Sequence, residues 1–150
     1  MILIRDLRLE DLDLLKFLLD DLNNTLELKH KINEKTINSV YLEMDKYPEI
    51  YSNQVAIENN KIIGFVSLIF YKSFLHTEGT ALINELIVAK SHRNKGVGKN
   101  LVQKAIEMAK KRRMDEIEVG TELANTLAQK FYKKVGFNEE FMLLGKLLES

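Results

Sequence analysis

Between residues 82 and 99 the chain passes from a strand-like run into a glycine turn that opens a helix, and this junction restricts the fold more than any other stretch. Leu82-Ile83-Asn84-Glu85-Leu86-Ile87-Val88 leads through Ala89 to His92 into Arg93-Asn94-Lys95-Gly96-Val97-Gly98-Lys99. The next helical block, Asn125 to Val135, ends in Gly136-Phe137. A glycine-rich turn at a helix N-terminus gathers unpaired backbone N–H groups at the positive end of the helix dipole. A phosphorylated ligand is therefore expected there.

Composition narrows what such a turn can serve. A length of 150 residues suits one compact domain, 1–150, able to bury a core without disulfides or metals. The 22 Lys and Arg balance 22 Asp and Glu, so no global field draws the chain to nucleic acid or to an anionic membrane. Cysteine is absent, which removes thiolate metal sites and a cysteine nucleophile, and His30, His76 and His92 are scattered without ligand spacing. No metal site is expected. Met1 to Asp11 mixes acidic and apolar residues without a leader-like apolar core, and no apolar run reaches spanning length. A soluble, cytoplasmic protein is the expectation.

Local patterns set the order of elements. Ile2 to Arg5 reads as a short strand. Leu12, Leu15, Leu18, Leu19 and Leu22 recur at helical spacing, with Asn23-Asn24 as the expected end of that helix. A second helical pattern runs from about Asn33 to Met44, before Tyr47-Pro48. Gln54 to Glu58, the Asn59-Asn60 turn and Lys61 to about Phe74 read as a β-hairpin, with Gly64 marking a bulge. From near Gly96, Leu101, Val102, Ala105, Ile106 and Ala109 share one helix face. Glu116 to Val119 is a strand, Ala124 to Val135 a helix closed by Gly136, and Phe141 to Leu148 a final strand or hairpin. The sum is a mixed α/β fold.

Two familiar phosphate turns do not fit. A P-loop needs four residues between its first Gly and Gly-Lys and then Ser or Thr, whereas one residue separates Gly96 from Gly98 and Asn100 follows Lys99. A dinucleotide fingerprint needs a third glycine where Leu101 stands, within a βαβ unit that is absent here. A third pattern, Arg/Gln-x-x-Gly-x-Gly/Ala before a helix, is met from Arg93 to Gly98.

With that turn and the block Asn125, Ala128, Phe131, Tyr132, Gly136, Phe137 in view, the chain resembles the GNAT superfamily of N-acetyltransferases over roughly its whole length. The resemblance implies a largely antiparallel twisted sheet of roughly six to seven strands flanked by about four helices. It implies acetyl-CoA as co-substrate and no metal. Arg93, Asn94, Lys95, Gly96, Val97, Gly98 and Lys99 would hold the pyrophosphate, and the backbone of Leu86, Ile87 and Val88 would pair with pantetheine. Asn125 would contact the cofactor and Tyr132 would lie near its sulfur. Asn125, Ala128 and Tyr132 stand at i, i+3 and i+7, so one helix face presents all three. Lys133 or Lys134, with Lys95 and Lys99, are candidates for the adenosine 3′-phosphate. The basic run Lys110 to Arg113 ends a helix and reads as structural. His92 is expected to face solvent, and His76 is an outside candidate for the acceptor pocket.

Acetyl transfer to an amine needs the free base, yet an alkyl ammonium of pKa ~10.4 leaves well under ~1% of it at neutral pH. A base is required. Glu85 ranks first; strand alternation sets it on the Ile83/Ile87 face, with Leu82 and Asn84 on the other. Glu118, or a water ordered by Asn84, is the alternative. Backbone N–H near Leu86 to Val88 would polarise the acetyl oxygen, and the Tyr132 hydroxyl would protonate the departing sulfur. The acceptor is a small-molecule amine or a protein or peptide amine, to which Asp20, Asp21 and Glu27 offer negative charge. A non-catalytic acyl-CoA sensor on the same fold is the alternative function, and a longer acyl group the alternative donor. A homodimer could use the apolar run Phe141-Met142-Leu143-Leu144.

Overall fold

The computed structural model describes residues 1–26 and 34–149, with side chains described outside 22–34. Its elements are β1 (Leu3–Asp6), α1 (Leu12–Leu26), α2 (Glu34–Asp45), β2 (Tyr51–Glu58), β3 (Lys61–Tyr71), β4 (Thr80–Val88), α3 (Val97–Lys111), β5 (Glu116–Val119) and α4 (Thr126–Lys134), with single 3₁₀ turns at Leu9–Asp11 and Lys90–His92. The sheet runs β1-β2-β3-β4-β5, antiparallel up to β4 and parallel between β4 and β5. This is the expected mixed α/β architecture. Among the described residues no helix is long and apolar enough to cross a membrane.

Three expectations need correction. The sheet has five strands, not six to seven, because residues 141–148 pair with no strand and Phe141, Met142, Leu143 and Leu144 are exposed. An apolar run becomes a strand only when a partner edge satisfies its backbone, and local sequence does not supply that edge. α1 does not stop at Asn23-Asn24 but continues to Leu26. Asn costs a helix only a few tenths of a kcal/mol (~0.5), which tertiary packing overrides. β2 starts at Tyr51 rather than Gln54, because Tyr51 to Asn53 find partners in Ile69 to Ser67 on β3. Asn33 and Glu27 lie outside the described residues.

The hairpin turns as expected, with Asn59 and Asn60 both left-handed at φ 50° and 60°. The bulge falls beside Gly64: Ala56 pairs with Gly64 and Ile57 with Ile62, leaving Ile63 extra. Gly64 itself admits α3, since a Cβ there would stand 2.8 Å from Leu101 Cδ1 and 3.1 Å from Val97 Cγ1.

Two apolar layers cover the sheet. On one face Ala56, Val66, Leu68, Phe70, Ala81 and Ile83 pack against Val97, Leu101, Val102 and Ala105 of α3 and Tyr132 of α4. On the other, Val55, Ile62, Phe65 and Ile87 meet Leu12, Leu15 and Leu18 of α1 and Ile37 of α2. Within the basic run, Arg112 has a structural role: its guanidinium lies 4.0 Å over the Phe70 ring and donates to the Glu49 carbonyl at 3.1 Å.

These layers expose a second bulge. Ser67 pairs with Glu85 but Leu68 with Ile83, so Asn84 is the extra residue of β4. Ile83 therefore faces α3 while Ile87 faces α1, and the expected common Ile83/Ile87 face does not exist. Glu85 shares its face with Ile87 and, against expectation, with Leu82, because the bulge shifts the alternation by one.

Candidate functional site

The glycine turn is held open from below. After β4, Ala89 N–H donates to the Ile63 carbonyl at 2.8 Å and the chain enters the Lys90–His92 turn. His92 is not simply solvent-facing: its Nε2 lies 3.1 Å from Glu58 Oε2 and its Nδ1 2.8 Å from Ser91 Oγ, tying the turn to the end of β2. Asn94 and Gly96 follow in the left-handed region at φ 61° and 84°. Gly96 is the N-cap of α3, and the first helical bond runs from Asn100 N–H to the Gly96 carbonyl at 3.0 Å. The N–H groups of Val97, Gly98 and Lys99 therefore have no partner within the helix. A Cβ at Gly96 would meet nothing within 4 Å, so the approach to these donors is clear.

Arg93 sits differently from the rest of the turn. Its Nε donates to the Val88 carbonyl at 3.1 Å, with a guanidinium nitrogen 4.0 Å from Asp21 Oδ2, so its side chain clasps the strand end. Lys95 and Lys99 are exposed, whereas Lys133 pairs with Glu140 at 2.6 Å.

β4 offers an open edge next to this turn. β5 pairs with Thr80 to Ile83 only, while β4 runs on to Val88. Because Ala89 bonds to Ile63, antiparallel alternation aims the backbone groups of Ile87 at β3 and those of Leu86 and Val88 away from it. Of the three residues expected to pair with a ligand, Leu86 and Val88 thus present their N–H groups to the unpaired edge and Ile87 does not.

α4 closes the site from the side. Asn125 caps it, accepting from Ala128 N–H at 3.1 Å and leaving its amide NH₂ available. A Cβ on Gly98 would lie 3.4 Å from Phe131 Cζ and 3.6 Å from Val88 Cγ2, so turn, strand end and α4 meet at one point. Tyr132 is buried between Phe131 and Phe137, with ring centroids 5.1 and 5.5 Å away in edge-on geometry. Burial pushes its phenol up to about 12. The hydroxyl has no protein partner among the described residues and is not sealed from solvent.

Glu85 stands on the other side of β4. Burial raises its carboxyl above the usual range, opposed by the Ser67 hydroxyl and the Asn84 amide. Asn84 Nδ2 donates to Glu85 Oε1 at 3.2 Å. Ser67, its cross-strand neighbour, was not legible as a site residue, since only the bulged register brings it to Glu85. Glu118 accepts from the Tyr71 hydroxyl at 2.7 Å, and His76 Nε2 lies 3.5 Å from Glu116. A separate depression of about 560 Å³ between α1 and the Lys90–Ser91 turn, lined by Leu14, Phe17, Leu18 and Ile62, contains neither Glu85 nor Tyr132.

Comparison with known proteins bears on this arrangement. Residues 15–137 match the model of the acetyltransferase (GNAT) family. An uncharacterised N-acetyltransferase of Methanocaldococcus jannaschii is 32% identical over 139 residues, covering 85% of this chain and 61% of that protein. N-alpha-acetyltransferase 30 of Schizosaccharomyces pombe is 35% identical over 86 residues, 55% of each chain. The chain thus spans about six tenths or less of the length of these curated relatives. An aminoglycoside N-acetyltransferase solved in complex with CoA shares the fold, with a TM-score of 0.83 at 18% identity over 100% of this chain and 96% of that one.

Proposed function

We propose that this chain is an acetyl-CoA-dependent N-acetyltransferase that moves an acetyl group directly to a primary amine, on the premise that it belongs to the acetyltransferase (GNAT) family. One observation carries the reading: the free N–H groups of Val97, Gly98 and Lys99 lie beside an open β4 edge, and that pair of features suits a pyrophosphate joined to an extended amide-bearing arm. The CoA-bound aminoglycoside enzyme of the same fold is consistent with this. Asn94 to Lys99 would take the pyrophosphate, and the exposed Lys95 and Lys99 the remaining phosphate. Leu86 and Val88 would pair with the arm, and the Asn125 amide would donate to it. Arg93 would contribute by holding Val88 in place.

The thioester supplies an activated acetyl group; the ammonium first gives one proton to a base, and attack by the resulting neutral amine forms the amide bond, breaks the carbon–sulfur bond and releases a second proton from nitrogen, matched by the one that the sulfur receives. Leu86 N–H, directed away from β3, would donate to the acetyl oxygen as charge gathers on it. Glu85, whose raised pKa makes it a better proton acceptor than an ordinary carboxylate, would take the proton of the amine. Tyr132 would donate from its hydroxyl to the departing sulfur, and its pKa of about 12 keeps it protonated at any working pH. The amine acceptor, small or peptidic, would approach from the α1/α2 face that carries Glu85.

The test is thermal stabilisation by acetyl-CoA and free CoA, with ATP and NAD as controls, followed by thiol release with an amine panel. Selective stabilisation of several degrees at a hundredfold excess over Kd is expected. A folded protein that no CoA ester stabilises would overturn the reading.

A further inference from the structure

The loop that leads into α4 is held by hydrogen bonds rather than by packing. Gly120 to Asn125 are all exposed, Leu123 at 95%, and a Cβ on Gly120 would meet nothing within 4 Å. Apolar burial does not fix this loop. Its placement matters, because β5 ends at Val119, level with Ile83, and the loop therefore leaves the sheet where the β4 edge becomes open. Asn125, which would donate to the cofactor arm, is its last residue.

The fastening comes from Gln129, one turn into α4. Its Nε2 donates to the Glu122 carbonyl at 3.0 Å and to the Leu123 carbonyl at 2.9 Å. Both partners can only accept, so the amide must present its NH₂ here, and both hydrogens are used. Backbone bonds add to the turn, from Asn125 N–H to the Glu122 carbonyl at 2.9 Å and from Thr126 N–H to the Ala124 carbonyl at 3.0 Å. These tie the loop only to itself and to the helix start. Among the described residues the Leu123 carbonyl has no partner besides Gln129.

The clamp also decides which groups face outward. In a trans peptide the carbonyl and the following N–H point in opposite directions. Drawing the Glu122 and Leu123 carbonyls to Gln129 thus turns the N–H groups of Leu123 and Ala124 away from it, and neither has a partner among the described residues. The Asn125 side chain is oriented as well, since its Oδ1 is occupied by Ala128 N–H and its NH₂ is the end left over.

We infer that Gln129 is a positioning residue for the cofactor: its amide holds the Glu122–Asn125 turn so that the Asn125 NH₂, flanked by Leu123 and Ala124 N–H, stays set to meet the carbonyls of the amide-bearing arm. This role rests on the acetyltransferase reading and deepens it. Gln129 touches no reacting atom. Without it the donors remain in the chain but must be ordered by the ligand, which weakens binding of the arm. The glycine turn of α3 is fastened separately, through Ala89 and His92, so the phosphate end of the cofactor should not depend on Gln129.

Calorimetry on the full chain tests this by comparing acetyl-CoA with 3′-phospho-ADP, the same ligand without its arm. Gln129→Ala and Gln129→Glu both remove the donor, and each should weaken acetyl-CoA about tenfold while leaving 3′-phospho-ADP within about twofold of the parent. Thiol release should show the same split, with KM for acetyl-CoA raised about tenfold at a kcat within about twofold. In an Asn125→Ala background, Gln129→Ala should cost less than about threefold, because the side chain it positions is gone. Equal losses for the two ligands, an unchanged acetyl-CoA affinity, full additivity with Asn125→Ala, or loss of the fold in both variants by circular dichroism overturns this inference alone. A folded parent that neither binds acetyl-CoA nor releases thiol defeats the acetyltransferase reading and this one with it.

Discussion

Replacing Tyr132 with Phe isolates one oxygen atom. The ring keeps its edge-on contacts with Phe131 and Phe137 at 5.1 and 5.5 Å, and among the described residues the hydroxyl makes no hydrogen bond that the change would break. Folding should hardly notice. The phenol, at about 12, is a weaker acid than a thiol of pKa ~8.5, so complete proton transfer to the sulfur is uphill by ~3.5 units or about 5 kcal/mol. What the hydroxyl supplies is therefore a hydrogen bond that strengthens as negative charge develops on sulfur, with full transfer following the chemistry. Hydrogen bonds to charged partners contribute about 1.5–3 kcal/mol, which is a loss of roughly tenfold to a hundredfold in kcat. Steady-state thiol release at saturating donor and acceptor measures it, with acetyl-CoA affinity from calorimetry. The expected pattern is a reduced kcat, an acetyl-CoA affinity within about twofold of the parent and residual turnover, because the thiolate is a good leaving group. An unchanged kcat would refute the assignment of Tyr132 to the sulfur.

Three further outcomes are expected. Gly96→Glu, which puts a carboxylate on a left-handed residue (φ 84°) over the free N–H groups, should abolish acetyl-CoA binding by calorimetry while circular dichroism stays that of a folded chain; undiminished affinity would remove the turn as the pyrophosphate site. Glu85→Gln should lower kcat/KM by about 10²–10⁴-fold and abolish the acid limb of its pH profile, which in the parent should lie above the ordinary carboxylate value of 4.5 because burial raises this carboxyl; a retained acid limb would reassign the base. Asp11, bound by Arg5 at 2.7 and 2.9 Å and by Arg8 N–H at 2.8 Å, is held below its ordinary 3.8 by those bonds, the Arg5 contact foremost. Its contribution to stability is complete above 3.8 and disappears as pH falls through the lower folded value. Asp11→Asn should therefore cost about 2–4 kcal/mol in urea unfolding at pH 7 and progressively less as pH falls below 3.8, and a pH-independent cost would contradict the pairing.

Much of this molecule was legible as local pattern. The two-residue Asn59-Asn60 turn, the apolar face of α3 and the Arg93 to Gly98 turn each depend on residues within a few positions of one another. Asn125, Ala128 and Tyr132 were legible as one helix face for the same reason, and the cap at Asn125 with the buried ring of Tyr132 agrees with it. Other features had no local signal. Arg93 belongs to the turn by sequence, but its guanidinium reaches the Val88 carbonyl because the 3₁₀ turn brings it back over the strand end. Ser67 and Glu118 gain their neighbours across strands, from residues dozens of positions away.

The sequence by itself determined where helices and turns begin, because capping, glycine conformations and helical periodicity are decided within one or two turns of chain. Only the tertiary structure decided which side of the sheet Glu85 faces, through the single extra residue Asn84 that α3 on one side and α1 on the other impose on β4. It likewise decided that residues 141–148 stay unpaired and that Leu86 and Val88, rather than Ile87, present their backbone to the open edge. Register is a relation between two strands, and a period of two turns every one-residue shift into an exchange of faces.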